Sequence, residues 1–145
     1  MSLTDPEGLA YYCTQPLHAF PAGDLGGIGP LHHGFACNDE GVCGGQDRAG
    51  KALLSSGRPS KGDNFSKAKR ADRCEYTKSN QCENQCISNE VLSETRPAYT
   101  VIPSTLGSRT IGIIGRLLGT AGTPQNCQDW AKSTITYCKL KCALN

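Results

Sequence analysis

The clearest pattern of apolar and polar positions lies at the C-terminal end of the chain. If Asn126 caps a helix, the small or apolar residues that follow it recur at steps of four, four, three and four, at Cys127, Ala131, Ile135, Cys138 and Cys142. This spacing places all five residues on one face of an α-helix. We therefore predict a final helix that begins after Asn126 and directs Cys127 toward the rest of the fold.

A second pattern, over residues 30–46 (PLHHGFACNDEGVCGGQ), predicts a β-hairpin. A short strand from His32 to Cys37 is followed by a tight turn at residues 38–41 and by a second strand from Val42 to Gln46. Cys37 and Cys43 flank this turn and could form a disulfide across the hairpin.

The rest of the chain has weaker patterns. Residues 1–31 are dense in Gly and Pro and are expected to be irregular, and residues 48–64 are expected to form a loop. Residues 65–92 contain neither Gly nor Pro and predict a helix on which Cys82 and Cys86, four residues apart, share a face. The segment AYTVI, residues 98–102, predicts a short strand.

Composition indicates a thin core that is held together by disulfides. Hydrophobic residues make up 37% of the 145-residue chain, aromatic residues only 6%, and the chain contains 17 Gly, 8 Pro and 9 Cys. The cysteines form neither a CxxC pair nor a zinc-finger spacing, so disulfides in an oxidising compartment are expected. Two bridges between the Cys82/Cys86 and Cys138/Cys142 faces would join two helices, although eight cysteines allow 105 pairings.

The odd number of cysteines leaves one thiol unbridged if the other eight pair, and we assign this thiol to Cys127. The first turn of a helix favours an anion, so a cysteine there is expected to be nucleophilic, and nearby N–H groups can bind an oxyanion. Such a thiol needs a base. Two of the three histidines, His32 and His33, lie on the predicted strand, where a rigid backbone can direct an imidazole.

Length and charge limit the classes of function. We expect one domain over residues 1–145, and a net charge of +2 does not indicate nucleic-acid binding. The first residues lack the basic and apolar regions of a signal peptide, so we expect a mature form, an excised domain or an exported cargo. No window predicts a transmembrane helix. The basic run at residues 57–73 is interpreted as a solvated linker or as a transient contact with a membrane surface.

Both patterns carry a resemblance to a known superfamily. The run from His32 to Gly41 resembles the strand and turn that carry the catalytic histidine in NlpC-type and lecithin:retinol acyltransferase-like members of the papain-like superfamily. The run from Asn126 to Ala131 (NCQDWA) resembles their nucleophile helix. The order, histidine first and cysteine last, is that of the circularly permuted branch. The C-termini of many bacterial toxin domains have a similar segment.

This resemblance implies a permuted papain-like α+β fold, in which a small antiparallel sheet packs on the C-terminal nucleophile helix. It implies Cys127 as the nucleophile and His32 as the base, with His33 as the competitor because only one of two adjacent strand residues can face the thiol. The next strand carries no second histidine, and Gln46 is the best match for the third member, followed by Asp47. The N–H groups of Cys127 and Gln128 would bind the oxyanion, without a metal or cofactor.

The implied activity is that of a cysteine hydrolase that forms an acyl-thioenzyme. The resemblance to the permuted branch implies phospholipid esters as the substrate, and the apolar window IGIIGRLLG before Cys127 could offer a surface to an acyl chain. The protein would then be a secreted antibacterial toxin that acts in the target periplasm. A peptidoglycan amidase of the same fold is the first alternative. The second is a non-catalytic, disulfide-rich binding module. A toxin of this kind implies a cognate immunity protein as partner.

Overall fold

The computed structural model describes residues 8–16, 32–48, 54–60, 73–100, 106–120 and 124–144. These residues form an α+β structure whose main sheet has five antiparallel strands in the order β5-β3-β2-β1-β6, and β4 pairs with β7 separately. The strands are β1 (Gly8–Pro16), β2 (His32–Cys37), β3 (Cys43–Arg48), β4 (Leu54–Ser55), β5 (Gly57–Pro59), β6 (Arg73–Ser79) and β7 (Tyr99–Thr100). The described helices are α1 (Gln81–Leu92), α2 (Leu106–Leu117) and α3 (Cys127–Leu144).

The predicted hairpin is present as β2 and β3. Its turn is organised by Asn38, whose Oδ1 accepts hydrogen bonds from the backbone N–H groups of Glu40 at 2.9 Å and Val42 at 3.0 Å. Gly41 has a φ of 82°, which a residue without a side chain adopts at no steric cost. The register pairs Cys37 with Cys43, and these two residues form a disulfide across the turn.

The two faces of the sheet bury different residues. Ala10, Tyr12 and Ala36 pack in the main core with the helices, so α1 and α3 cover this face. Phe35 and Cys13 are buried in a smaller cluster on the opposite face. Alternate residues of a strand point to opposite faces, and the position of α3 therefore decides which residues of β2 meet its first turn.

Two of the four disulfides follow the predicted pairing of two helices that carry cysteines. Cys82–Cys142 and Cys86–Cys138 join α1 to α3, as expected from the two pairs of cysteines with a spacing of four. The remaining bridge, Cys13–Cys74, joins two residues that are directly paired between β1 and β6. Four disulfides are compatible with an oxidising, extracellular compartment.

Three expectations were wrong in part. Residues 8–16, expected to be irregular, form β1, and part of the loop expected at residues 48–64 forms β4 and β5. The helix predicted over residues 65–92 begins only at Gln81, because residues 73–79 form β6 against β1, with Cys74 held to Cys13. Residues 65–72 lie outside the described part. The helix start is marked by a capping box, in which Asn80 Oδ1 accepts from Glu83 N and Glu83 Oε1 accepts from Asn80 N.

Candidate functional site

The site is built around Cys127, the first residue of α3. Cys127 is the one cysteine outside the four disulfides, and it is 6% exposed. The prediction that this residue carries the unbridged thiol and points inward is therefore confirmed. Because the thiol is buried, the residues packed around it determine its reactivity.

The start of α3 is held in place on both sides of Cys127. Asn126 caps the helix as predicted, since its Oδ1 accepts a hydrogen bond of 2.8 Å from Asp129 N. The first intrahelical bond runs from Trp130 N to Asn126 O at 3.0 Å, so the N–H groups of Cys127 and Gln128 stand at positions that precede the helical ladder. These are the two positions that the sequence assigned to oxyanion binding.

The segment that enters α3 is also fixed. Gln125 N donates to Ala98 O at 2.9 Å, and Thr100 N donates to Gln125 O at 3.3 Å. Gln125 thus forms a strand-like bridge one residue before the N-cap, and its side chain is buried. Helix α3 therefore begins from an anchored backbone.

Strand β2, which carries the two histidines, meets the start of α3 at Gly34. Its backbone N–H donates to Cys127 Sγ at 3.5 Å, although 93 residues separate the two in sequence. A Cβ built on Gly34 would lie 2.8 Å from Gln128 Cα and 3.2 Å from Tyr12 Cε1, closer than such atoms normally approach. Only a glycine allows β2 and α3 to come this close, and the two motifs of the sequence are brought together at this contact.

The two histidines occupy different positions on β2. The side chain of His32 lies outside the described part of the structure, but its backbone is paired with Pro16, and alternation assigns position 32 to the face shared by Gly34 and Ala36. His33 is nearly buried and stacks on Phe35 with ring centroids 5.9 Å apart, on the opposite face. By alternation, strand position 32 therefore belongs to the face that α3 covers, and position 33 belongs to the opposite face.

Gln46 is fully buried on the same face. The register pairs Ala36 with Gly44, so continuation of the strand places Gln46 across from Gly34. Its Nε2 donates to Gln125 O at 2.8 Å and to Ala98 O at 3.4 Å, and both acceptors are carbonyls. This fixes the orientation of the amide, because the reversed one would set oxygen against oxygen. Gln46 Oε1 is then buried without a hydrogen-bond partner among the described residues.

Asp47, the second candidate for the third member, lies on the other face of β3. Its carboxylate is 3.8 Å from Arg58 Nη2, and both side chains are about half exposed. The strand alternation that directs Gln46 toward α3 directs Asp47 away from it. Of the two candidates, Gln46 is therefore the one that the fold brings to the start of the nucleophile helix.

A chain of buried polar groups, not foreseen from the sequence, connects the site to α2. Ser133 Oγ lies 3.2 Å from Gln125 Oε1, Arg116 Nη1 donates to Ser133 Oγ at 3.3 Å, and Arg116 Nη2 is 2.7 Å from Glu90 Oε1. The signal in the sequence was an arginine inside an apolar run, which requires a buried partner. Arg116 and Glu90 provide this pair and hold α2 against α1 and α3.

A second buried arginine, Arg96, is bonded to the C-terminal end of α1. Arg96 donates to the carbonyls of Glu90, Val91 and Ser93 at the C-terminal end of α1, and its Nε donates to Gly45 O at 3.1 Å. Its guanidinium also lies 4.1 Å from the ring centroid of Trp130, which is buried in the core. Arg96 therefore joins α1, β3 and the first turn of α3.

Among the described residues, no group of three His, Cys, Asp or Glu side chains is close enough to hold a metal ion. No described helix is both long and apolar enough to cross a bilayer. No protein-family model matches this chain, and no solved structure matches it.

Proposed function

We propose that this protein is a cysteine hydrolase with a permuted papain-like fold and that it cleaves acyl esters of phospholipids. The observation that carries the proposal is the contact between Gly34 N and Cys127 Sγ, which joins the histidine strand to the nucleophile helix. The order of the two elements along the chain, strand first and helix last, is that of the permuted branch. An antiparallel sheet packed on a C-terminal helix supports the same assignment.

In the proposed reaction, Cys127 attacks the carbonyl carbon of the acyl ester and its thiol proton passes to His32. Negative charge develops on the carbonyl oxygen, where the N–H groups of Cys127 and Gln128 stabilise it. The C–O bond then breaks, and His32 returns the proton to the leaving alcohol. Water, deprotonated by His32, attacks the thioester carbon, the C–S bond breaks, and His32 returns the proton to the Cys127 thiolate. The products are a fatty acid and a lysophospholipid.

Gln46 is assigned the role of positioning His32. Gln46 Nε2 donates hydrogen bonds to two backbone carbonyls, whereas the buried Oε1 has no partner among the described residues. A buried acceptor without a hydrogen bond lowers the stability of the folded protein. An imidazole N–H is a donor of the required kind. Acceptance of this N–H by Oε1 would fix the tautomer in which the other ring nitrogen faces the thiol.

The disulfides support a site of action outside the cytoplasm. Four bridges join the strands and helices that surround the site, and such bridges persist in oxidising compartments. We place the protein as a secreted antibacterial toxin that acts in the periplasm of a target cell, where membrane phospholipid is accessible. A cognate immunity protein that blocks access to Cys127 is the corresponding partner.

A direct test is the release of fatty acid from phospholipid vesicles by the oxidised protein. We expect Cys127→Ala and His32→Ala to abolish release, while His33→Ala, on the opposite face, retains most of it in a folded variant. Purified peptidoglycan, treated in parallel, tests the amidase alternative through the release of soluble peptides. Release from neither substrate, or equal release by Cys127→Ala, would refute the proposal.

The non-catalytic binding module predicts a different state of the ninth cysteine. In that alternative, the remaining thiol links two chains, yet Cys127 is buried against Gly34 and is poorly placed to reach a second molecule. Non-reducing electrophoresis distinguishes the two. A monomer with one alkylatable thiol supports the hydrolase, whereas a covalent dimer lost in Cys127→Ala supports the module.

A further inference from the structure

A groove of about 330 Å³ lies between the edge of the main sheet and α3. The register pairs Tyr12 of β1 with Glu75 of β6, so these two residues share the face of the sheet that α3 covers, and Thr77 lies on the same face two residues further along β6. These side chains form one wall of the groove. The opposite wall belongs to α3 and consists of Lys132, Ile135, Thr136 and Lys139. We call this space the β6–α3 groove.

Lys132 gives the groove a positive charge that no described carboxylate neutralises. Its Nζ lies 5.0 Å from the ring centroid of the buried Tyr12. No ion pair within 4 Å joins Lys132 to a described carboxylate, and this includes Glu75 on the opposite wall. The other lysine, Lys139, is already bonded, since its Nζ donates to a backbone carbonyl of β6 at 2.7 Å and lies 3.5 Å from Glu83 Oε1. The groove therefore presents one available ammonium and, on the facing wall, one carboxylate.

The groove lies next to the start of α3. A Cβ built on Gly34 would be 3.2 Å from Tyr12 Cε1 and 2.8 Å from Gln128 Cα, so the ring in the wall of the groove also lies beside Gln128. Lys132 follows Gln128 by four residues, which places the two on one face of α3, about 6 Å apart along the helix axis. The ester carbonyl and the phosphate of a phospholipid are joined through neighbouring glycerol carbons and are separated by a comparable distance. A lipid whose carbonyl oxygen meets the Gln128 N–H can therefore place its phosphate at Lys132.

We propose that the β6–α3 groove binds the headgroup of an ethanolamine phospholipid, with the phosphate on Lys132 and the ammonium on Glu75. This inference rests on the proposed function, because it names the substrate class of the same site. A headgroup with a phosphate and no amine leaves Glu75 without a partner, and a lipid without a phosphate leaves Lys132 without one. A primary ammonium also donates hydrogen bonds to a carboxylate, whereas the quaternary ammonium of choline has no N–H to donate.

Binding is measured by NMR titration of the oxidised Cys127→Ala protein with glycerophosphoethanolamine, a soluble headgroup without acyl chains. We expect a saturable shift of the backbone amide signals of Lys132 and Thr77, which lie on the two walls of the groove. Lys132→Gln should raise the dissociation constant about tenfold, because a charge-assisted hydrogen bond to the phosphate is lost. The matched control, Lys141→Gln, removes an exposed lysine of the same helix outside the groove and should bind like the parent. No saturable shift, or equal dissociation constants for the two lysine variants, would overturn the proposal.

Hydrolysis gives a second measure, with lipids of identical acyl chains dispersed in one non-ionic detergent. Lys132→Gln should lower kcat/KM about tenfold on phosphatidylethanolamine and much less on diacylglycerol, which has no phosphate. The wild type should prefer phosphatidylethanolamine to phosphatidylglycerol, and Glu75→Gln should reduce this preference. An equal loss by Lys132→Gln on phosphatidylethanolamine and diacylglycerol, or the same preference in Glu75→Gln as in the wild type, would overturn the assignment of the two charges.

Headgroup binding and catalysis fail in different ways. Saturable binding of glycerophosphoethanolamine that Lys132→Gln weakens, in a protein whose wild type releases no fatty acid, would support the headgroup site and refute the proposed hydrolysis. Release of fatty acid by a wild type that hydrolyses diacylglycerol and phosphatidylethanolamine equally well would refute the headgroup site and support the catalytic assignment.

Discussion

Replacement of Gly34 by alanine perturbs the contact between Gly34 N and Cys127 Sγ, where β2 meets α3. The added Cβ would lie 2.8 Å from Gln128 Cα, a backbone atom that cannot rotate away, and 3.0 Å from Gln128 Cγ. Carbon atoms in contact prefer about 3.5–4.0 Å, so β2 and the first turn of α3 must separate by about 0.8 Å. The bond from Gly34 N to Cys127 Sγ, already 3.5 Å long, is then broken.

The expected consequences are a loss of stability and a larger loss of activity. Overpacking of this kind costs about 1–3 kcal/mol, which lowers Tm by about 3 °C or more for each kcal/mol in a chain of this size. Displacement of a nucleophile by about 1 Å costs about 100-fold in rate. Thermal unfolding gives the first quantity, and the rate of ester hydrolysis, with the alkylation rate of Cys127, gives the second.

The matched control is Gly44→Ala, on the same hairpin and the same face of the sheet. Its Cβ would lie 2.7 Å from Val91 Cβ and 2.8 Å from Val91 O, at the C-terminal end of α1 and not at the nucleophile. The Gly44→Ala substitution should lower the free energy of unfolding by a similar amount. The folded variant should hydrolyse the ester at a rate near that of the wild type. Equal loss of activity in the two variants, or a Gly34→Ala protein as active as the wild type, would refute the reasoning.

Three further predictions concern the supports of the site. Arg96→Ala should lower the free energy of unfolding by about 2–4 kcal/mol, since it leaves buried carbonyls of α1 unpaired, whereas the exposed Arg58→Ala should change it by less than about 0.5 kcal/mol; urea denaturation tests both. Removal of the Cys82–Cys142 disulfide, which spans 60 residues, should lower the free energy of unfolding by about 4 kcal/mol in the loop-entropy model. Removal of the Cys37–Cys43 disulfide, which spans six residues, should lower it by about 2 kcal/mol. Equal losses in the two variants would contradict this prediction. Gln46→Leu should lower kcat while the thiol remains alkylatable after unfolding, and an unchanged kcat would exclude Gln46 as the positioning residue.

The elements predicted best from the sequence were those with a strong local signal. The helix after Asn126 has a capping residue and a stripe of period 3.6, and the hairpin has strand residues on both sides of a turn closed by Gly41. The unbridged thiol followed from the odd number of cysteines and from the position of Cys127 at a helix start. These features are encoded within about 20 residues each, so no knowledge of the fold was needed.

The elements that were missed depend on contacts between distant parts of the chain. Strand β6 forms because it pairs with β1 and because Cys74 is bonded to Cys13, while its own composition is also compatible with a helix. The polar chain through Arg116 and Gln125 joins residues from separate elements, and no local pattern specifies it. Capping by Asn80 was the one local signal that could have placed the start of α1 correctly.

The most direct test of the account is the reactivity of Cys127 in the native, oxidised protein. Brief exposure to iodoacetamide without reductant, followed by mass spectrometry of the peptides, identifies the modified residue and its rate. The account predicts a single adduct, on Cys127, that forms rapidly in the wild type and much more slowly in His32→Ala. An adduct that forms only after unfolding, or at the same rate in both proteins, would contradict the assignment of Cys127 as an activated nucleophile.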